Sequence, residues 1–331
     1  MEGFRRHLIS LDDVTDSDLD FVVRRAAAFA MRHDILKNSG GGGGRLPLAG
    51  DVVGIYFRLS STRTRTAFSS AALRLGAQII AFGPDDLQTN TGETAEDTGR
   101  VLARMLDVLV ARTGGETQEM QGWAAQRRMS VVNAMTATEH PTQALADLTT
   151  LQRHFGDVRG LRVLYIGEGN STAAALALAL SRISHSELEL RTPRGYGLTA
   201  DITERALRHA ARHGAKLVET HDMANLPSGV DVIYTTRWRT TGTRKPDPDW
   251  QQIFAPFRVT KDLWVKSPEA VFMHDLPAHR GEEVSTDVID GPLSIVFDQA
   301  ENKLYSAMAA LEWCRHGATS GAAAAEMAGP R

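Results

Sequence analysis

Three short segments hold residues whose types and spacing suit the binding of an anion and of the group attached to it. The first is Arg58-Leu-Ser-Ser-Thr-Arg-Thr-Arg-Thr66. It joins an apolar run to a helical one. A helix start offers backbone N–H groups and the positive end of the macrodipole, so an anion binds there readily. Ser61, Thr62 and Thr64 add hydroxyl donors, and Arg63 can grip phosphate oxygens bidentately. The competing reading is a capped helix with solvated arginines. The glycines of a Walker loop are missing, which disfavours a nucleotide P-loop and a kinase-type use of this turn.

The second segment is Glu139-His140-Pro141-Thr142-Gln143, where a proline suits the first helical turn. His140 and Gln143 then lie three residues apart and can face one site, although a histidine at a helix start is also a common structural choice. The third, Met273-His274-Asp275-Leu276-Pro277, closes an apolar run at a strand end, where ligands commonly sit in α/β sheets. A plain turn at Pro277 is the alternative.

These segments need elements to position them. Strands are predicted at Asp51–Phe57, Ala77–Phe82, Val108–Ala111 and Ser130–Asn133, alternating with helices at Thr64–Leu75, Glu93–Met105 and Gln121–Gln126. A long helix, Pro141–Phe155, is read as the link to a second series. That series has strands at Leu161–Gly167, Glu187–Leu190, Val230–Thr235 and Ala270–Met273, helices at Thr172–Ile183 and Asp201–His213, and a last helix at Asn302–Arg315. Alternation of this kind predicts parallel sheets flanked by helices, an α/β fold in two domains. The predicted boundaries are 1–140, completed by 302–315, and 141–301. Residues 317–331 are expected to form a disordered Gly/Ala-rich tail, and Gly40–Gly44 a flexible loop.

Bulk properties remove several function classes. A chain of 331 residues favours two domains over one. With 42% hydrophobic and 23% charged residues it reads as an ordinary globular protein. The net charge of -3 lacks the basic field that nucleic-acid binding needs. Cys314 is the only cysteine, so an internal disulfide framework or a cysteine-rich metal site is excluded. No apolar stretch is long enough for a signal sequence or a membrane span, and the expectation is a cytoplasmic protein.

Taken together and in this order, the three segments resemble the carbamoyltransferase family that includes ornithine and aspartate carbamoyltransferases. Ser61-Thr62-Arg63-Thr64-Arg65 is similar to the family's carbamoyl-phosphate signature, His140-Pro141-Thr142-Gln143 to its second motif, and His274-Asp275-Leu276-Pro277 to its His-x-Leu-Pro motif. Gly92-Glu93-Thr94, Val101–Met105 and Ala300-Glu301-Asn302 agree as well, so the likeness runs from about Phe4 to Trp313. The resemblance implies a domain for carbamoyl phosphate, a domain for an amine acceptor, and homotrimers or multiples of them with active sites at subunit interfaces. It implies that Ser61, Thr62, Arg63 and Thr64 bind the phosphate, and that Arg112, His140 and Thr64 hold the carbonyl oxygen. Gln143 and the backbone carbonyl of Leu276 would hold the carbamoyl NH2. Gln88 would reach into a neighbouring subunit, and Lys303 stands where ornithine enzymes usually place an arginine. Neither a metal nor an organic cofactor is implied.

The acceptor positions depart from the ornithine pattern. An Asp-Gly-Asn-Asn turn reads Glu168-Gly169-Asn170-Ser171 here. An Asp-x-x-x-Ser-Met-Gly segment reads Thr236-Arg237-Trp238-Arg239-Thr240-Thr241-Gly242, and Asp275 replaces a cysteine. Thr236-Arg237 is similar instead to aspartate enzymes, in which that arginine binds an acceptor carboxylate. The carboxylate missing at Thr236 is therefore expected at Asp275, unless Asp275 pairs with a nearby cation such as Arg280. Arg237, Arg239, Arg244 and Lys245 form either a solvated loop or an acceptor loop that reads an anionic group. Ornithine or a related diamino acid is the expected acceptor. A more anionic or specialised amine, and a non-catalytic phosphometabolite-binding relative, remain as alternatives.

Overall fold

The computed structural model describes residues 5–39, 46–239 and 245–318. The expectations for Gly40–Gly44, Thr240, Thr241, Arg244 and most of the tail fall outside them. Two compact units emerge, Met1–Thr136 with Asn302–Arg331, and Ala137–Glu301.

Unit 1 contains α1 (Asp16–Ser39), β1 (Val52–Phe57), α2 (Thr62–Arg74), β2 (Gln78–Phe82), α3 (Ala95–Leu102), β3 (Val108–Arg112), α4 (Thr117–Ala124) and β4 (Ser130–Asn133). Its four strands are all parallel, in the order β2-β1-β3-β4. β1 and β3 are continuous apolar runs because both of their faces are covered. Tyr56, Leu109, Met120 and Trp123 pack together in this core, where a fully buried large side chain stabilises the fold by about 1.5–3 kcal/mol. Arg25 grips Glu312 at 2.6 and 2.9 Å, and Arg315 grips Asp51 at 2.7 and 2.5 Å, so the C-terminal segment is fixed into unit 1.

Unit 2 contains α5 (Pro141–Phe155), β5 (Arg162–Ile166), α6 (Ser171–Leu180), β6 (Glu187–Arg191), α7 (Ala200–His213), β7 (Lys216–Thr220), β8 (Val232–Thr235), α8 (Trp250–Phe254), β9 (Val271–His274) and α9 (Thr286–Ile289). The five parallel strands run in the order β7-β6-β5-β8-β9. α6 is buried all round, as its alanine-leucine sequence requires. Leu164, Ile166, Ile233, Phe257 and Phe272 form the core.

The α/β expectation holds, with instructive departures. β7 was not predicted: it is a half-exposed edge strand whose charged ends mask its alternation. The last helix, α10, spans Val296–His316 and starts six residues before the expected Asn302. Its first turns include β-branched Val296, a weak helix former, which hid the start. Among the described residues no helix is long and apolar enough to cross a membrane.

In both sheets the chain winds outwards from one strand and then returns to its other side. Unit 1 does so between β1 and β3, unit 2 between β5 and β8. Ligands of open parallel sheets bind where strand order reverses, outside the carboxyl ends of the strands.

Candidate active site

At the unit 1 switch point, Phe57 lies in register with Arg112 and the Arg58 N–H donates to the Arg112 carbonyl at 3.0 Å. The turn that follows β1 is thereby held against the end of β3. Ser61 is the N-cap of α2 in extended backbone, and its side chain makes no capping bond. Thr62, Arg63 and buried Thr64 form the first turn, whose N–H groups have no intrahelical partner. Two of the arginines are engaged elsewhere. Arg58 pairs bidentately with Glu119 at 3.0 and 2.5 Å, and Arg65 donates to the Phe82 carbonyl at 3.2 Å. Arg58 is thereby structural, whereas Arg65 stays exposed to solvent, as the capped-helix alternative expects.

Arg112 is buried, and its Nη1 lies 3.5 Å from the Ala134 carbonyl. Beside it, Asn133 orders the next turn: its Oδ1 accepts from the Met135 N–H at 2.9 Å and its Nδ2 donates to the Ile9 carbonyl at 2.8 Å. Met135 adopts φ 142°, a sparsely populated conformation for an L residue. Sequence reasoning passed over Asn133, though a buried asparagine closing an apolar strand was a usable signal. Gln88 is exposed in a 3-10 turn (Gln88–Thr91), and Lys303 is buried on α10.

Unit 2 gathers its candidates at the β5/β8 switch point. His140 is the N-cap of α5 and donates its N–H to the Ser171 carbonyl at 3.1 Å, so the starts of α5 and α6 are neighbours. Thr142 Oγ1 lies 3.2 Å from His140 Nδ1. Asn170 caps α6, its Oδ1 accepting from the N–H groups of Thr172 and Ala173 at 3.0 and 3.2 Å. Gly169 permits this turn, because a Cβ there would lie 2.3 Å from the Gly197 carbonyl carbon.

Asp275, at the end of β9, faces the same place. Thr172 donates to its Oδ2 and Thr236 to its Oδ1, each at 2.9 Å. Asp275 is thus held by hydroxyls at the positive end of α6. Arg280 pairs with Asp290 instead, at 2.8 and 2.6 Å, which removes the expected alternative partner. His274 Nδ1 approaches Asp275 at 3.5 Å, but that nitrogen accepts the Leu276 N–H at 2.8 Å. The ring proton therefore sits on Nε2 and is donated to Glu283 at 3.2 Å, and His274 makes no ion pair with Asp275. Leu276 adopts φ 54°, costly for a leucine, and precedes a cis peptide to Pro277. Its bond to His274 holds that backbone, and with it the direction of its carbonyl. The Tyr165 and Tyr234 phenols are pushed far up by burial and then by nearby carboxylates, Asp275 first for Tyr165 and Asp147 first for Tyr234; both remain donors.

The charge run after Thr236 is not uniformly solvated. Arg237 is half-buried and Arg239 exposed. Lys245 is buried, paired with Glu168, and lies 4.9 Å from the Tyr196 ring and 4.6 Å from Phe254. Burial lowers its pKa despite the opposing pull of Glu168. The fold also brings His279, Glu282 and Glu283 together with ligand atoms within 4.8 Å, a group sequence reasoning did not find. Glu283 already accepts from the His279 N–H and from His274.

Residues 6–153 match the aspartate/ornithine carbamoyltransferase carbamoyl-P binding domain, and residues 159–314 match the Asp/Orn binding domain of the same family. The anabolic ornithine carbamoyltransferase of Pyrococcus furiosus is 37% identical over 92% of this chain and 95% of its own length. The ornithine carbamoyltransferase of Nostoc punctiforme is 36% identical over 92% and 96%. Among solved structures, the Pyrococcus furiosus enzyme superposes with TM-score 0.85 at 35% identity, covering 94% of this chain and 97% of that one. The mitochondrial enzyme of Coccidioides immitis gives 0.83 at 30%, covering 95% and 99%.

Proposed function

Since the chain belongs to the aspartate/ornithine carbamoyltransferase family, we propose that it moves the carbamoyl group of carbamoyl phosphate onto the amine of ornithine or a related diamino acid, releasing phosphate. The observation that carries this reading is the register of Phe57 with Arg112, which supports a shared role for the end of β3 and the turn that leads into α2.

In the reaction a neutral amine forms a bond to the carbonyl carbon, the carbonyl oxygen takes up negative charge, and the carbon–oxygen bond to phosphate breaks. The amine proton leaves as the ureido product forms. From unit 1, Ser61, Thr62, Arg63 and Thr64 neutralise the departing phosphate, aided by Lys303, and Arg112 with Thr64 stabilises the oxyanion. Preorganised donors aimed at a developing charge are commonly the largest contribution in such transfers. From unit 2, His140 donates to the carbonyl oxygen, while Gln143 and the Leu276 carbonyl accept from the carbamoyl NH2. Asn170, Ser171, Thr236, Arg237, Thr240 and Thr241 bind the acceptor. Asp275 takes the anionic role that a diamino acid's ammonium requires and helps the attacking amine lose its proton. Its hydroxyl partners Thr172 and Thr236 support that role, since both can donate to a carboxylate and neither neutralises it.

The proposal extends to a cytoplasmic homotrimer or a multiple of it. Gln88 is exposed, and unit 1 also exposes Leu73, Ile80, Val101 and Met105, apolar side chains that an interface would cover. A second acceptor class, an amine with an additional carboxylate, is favoured by one observation: half-buried Arg237 directly follows Thr236.

Product formation from carbamoyl phosphate against ornithine, lysine, diaminobutyrate, diaminopropionate, putrescine and aspartate tests the reading. Turnover of a diamino acid is expected. Turnover of aspartate alone would transfer the assignment to Arg237, and carbamoyl-phosphate binding without turnover of any amine would favour the non-catalytic relative.

A further inference from the structure

Asp147 lies on α5 one turn beyond Gln143 and is fully buried. Its Oδ1 accepts from Gln143 Nε2 at 2.8 Å and from Gln299 Nε2 at 2.7 Å, and its Oδ2 accepts from the Tyr234 hydroxyl at 3.0 Å. Gln299 Nε2 also lies 3.0 Å from that hydroxyl, and Gln299 Oε1 accepts the His274 N–H at 2.8 Å. These side chains come from α5, β8 and the start of α10, and they converge on the peptide that begins the His274–Pro277 segment.

The polarity of this network follows from chemistry alone. A backbone N–H can only donate, so the carbonyl end of Gln299 must face His274 and its NH2 end must face Asp147. Asp147 Oδ1 already accepts from the NH2 end of Gln299, and Gln143 presents its own NH2 end to the same oxygen. Turning Gln299 would set donor against donor at His274, and turning Gln143 would set acceptor against acceptor at Asp147. The opposite end of the Gln143 amide is consequently a carbonyl acceptor. A carbamoyl NH2 is a donor, so this end complements it, whereas a reversed Gln143 would oppose NH2 with NH2. The same network holds the His274 peptide, two residues before the Leu276 carbonyl.

Resting on the proposed carbamoyl transfer, we infer that Asp147 is a positioning residue. Through Gln143 it makes the enzyme select a phosphorylated carbonyl compound bearing NH2 over one bearing a methyl group. Acetyl phosphate is the discriminating probe, because it keeps the phosphate and the carbonyl and replaces NH2 by CH3. Destroying the polarity weakens carbamoyl phosphate and leaves acetyl phosphate unmoved.

The experiment measures the KM of carbamoyl phosphate and the competitive inhibition constant of acetyl phosphate in the intact enzyme. Gln143→Ala serves as the reference for complete loss. Asp147→Leu is expected to narrow the ratio of the two constants by about tenfold, the worth of one hydrogen bond to a buried amide. Asp147→Asn is expected to keep the ratio, because Gln299, pinned by His274, demands an oxygen at Oδ1 and sends the new NH2 towards Tyr234. Should Asp147→Leu not fold, Asp147→Asn combined with Gln299→Met carries the test: with the pin removed, residue 147 can reverse and the ratio narrows. Equal weakening of both ligands in these variants, or an unchanged ratio in the double variant, overturns the inference as a merely structural role. A wild-type enzyme that binds carbamoyl phosphate no better than acetyl phosphate overturns it too. A wild-type enzyme that binds neither defeats the carbamoyl-transfer reading itself, and the inference with it.

Discussion

Replacing Asp275 by asparagine separates charge from shape at the acceptor position. Asp275 accepts one hydrogen bond from Thr172 and one from Thr236, both at 2.9 Å. Asparagine keeps the volume and one acceptor oxygen. Its NH2 group meets a hydroxyl that can rotate and accept, so both contacts survive. What is lost is the negative charge. An ammonium at 4 Å from that charge, with an effective dielectric constant near 20, interacts by about 4 kcal/mol as an upper bound. A hydrogen bond to a charged group is worth about 1.5–3 kcal/mol net. The kcat/KM for a diamino acid should therefore fall roughly 10- to 150-fold. The KM for carbamoyl phosphate should stay where it is, as should the thermal midpoint. Steady-state rates of ureido-product formation with each substrate varied in turn measure all of this, beside a melting curve by circular dichroism. If the Asp275→Asn enzyme used the diamino acid with undiminished kcat/KM, the carboxylate would not hold the ammonium and the account of the acceptor position would fail.

Arg112→Lys should lower kcat by about 10²–10³-fold, since a point charge replaces a bidentate donor aimed at the oxyanion, and initial-rate kinetics decide it. Gly169→Ala should destabilise the protein by about 2 kcal/mol, because the added Cβ would lie 2.3 Å from the Gly197 carbonyl carbon. A fall in the melting temperature of about 4–8 °C checks it, and an unchanged melt would mean that the turn relaxes freely. The Cys314 thiol is pushed up to about 12 from its ordinary 9.0 by burial. The folded state keeps that proton longer than the unfolded chain does, so the contribution is complete below about pH 9 and is lost as pH rises towards 12. Denaturant melts should show wild-type stability declining faster than that of Cys314→Ala in this window, by up to about 1.4 kcal/mol per pH unit.

The Ser61–Thr64 turn, the His140–Gln143 helix start and the two α/β series were legible in the sequence because each depends on neighbours. A buried apolar run, a hydroxyl cluster and a proline at a helix start act within a few residues through propensity and capping. Edge strand β7 escaped because an element half in solvent carries little apolar signal. The partners of Asp275 escaped for another reason. Chain proximity suggested Arg280, five positions away, yet Arg280 turns to Asp290, and Asp275 is held by Thr172, 103 residues distant. Asp147 and Gln299 are 152 residues apart and still share a hydrogen bond. Such pairs are decided by strand order, which sets the ends of β5, β8 and β9 side by side. Composition and local pattern thus determined which segments carry chemistry. Only the folded sheet with its covering helices, by burying polar groups that must then find partners, decided which of them meet and with what polarity.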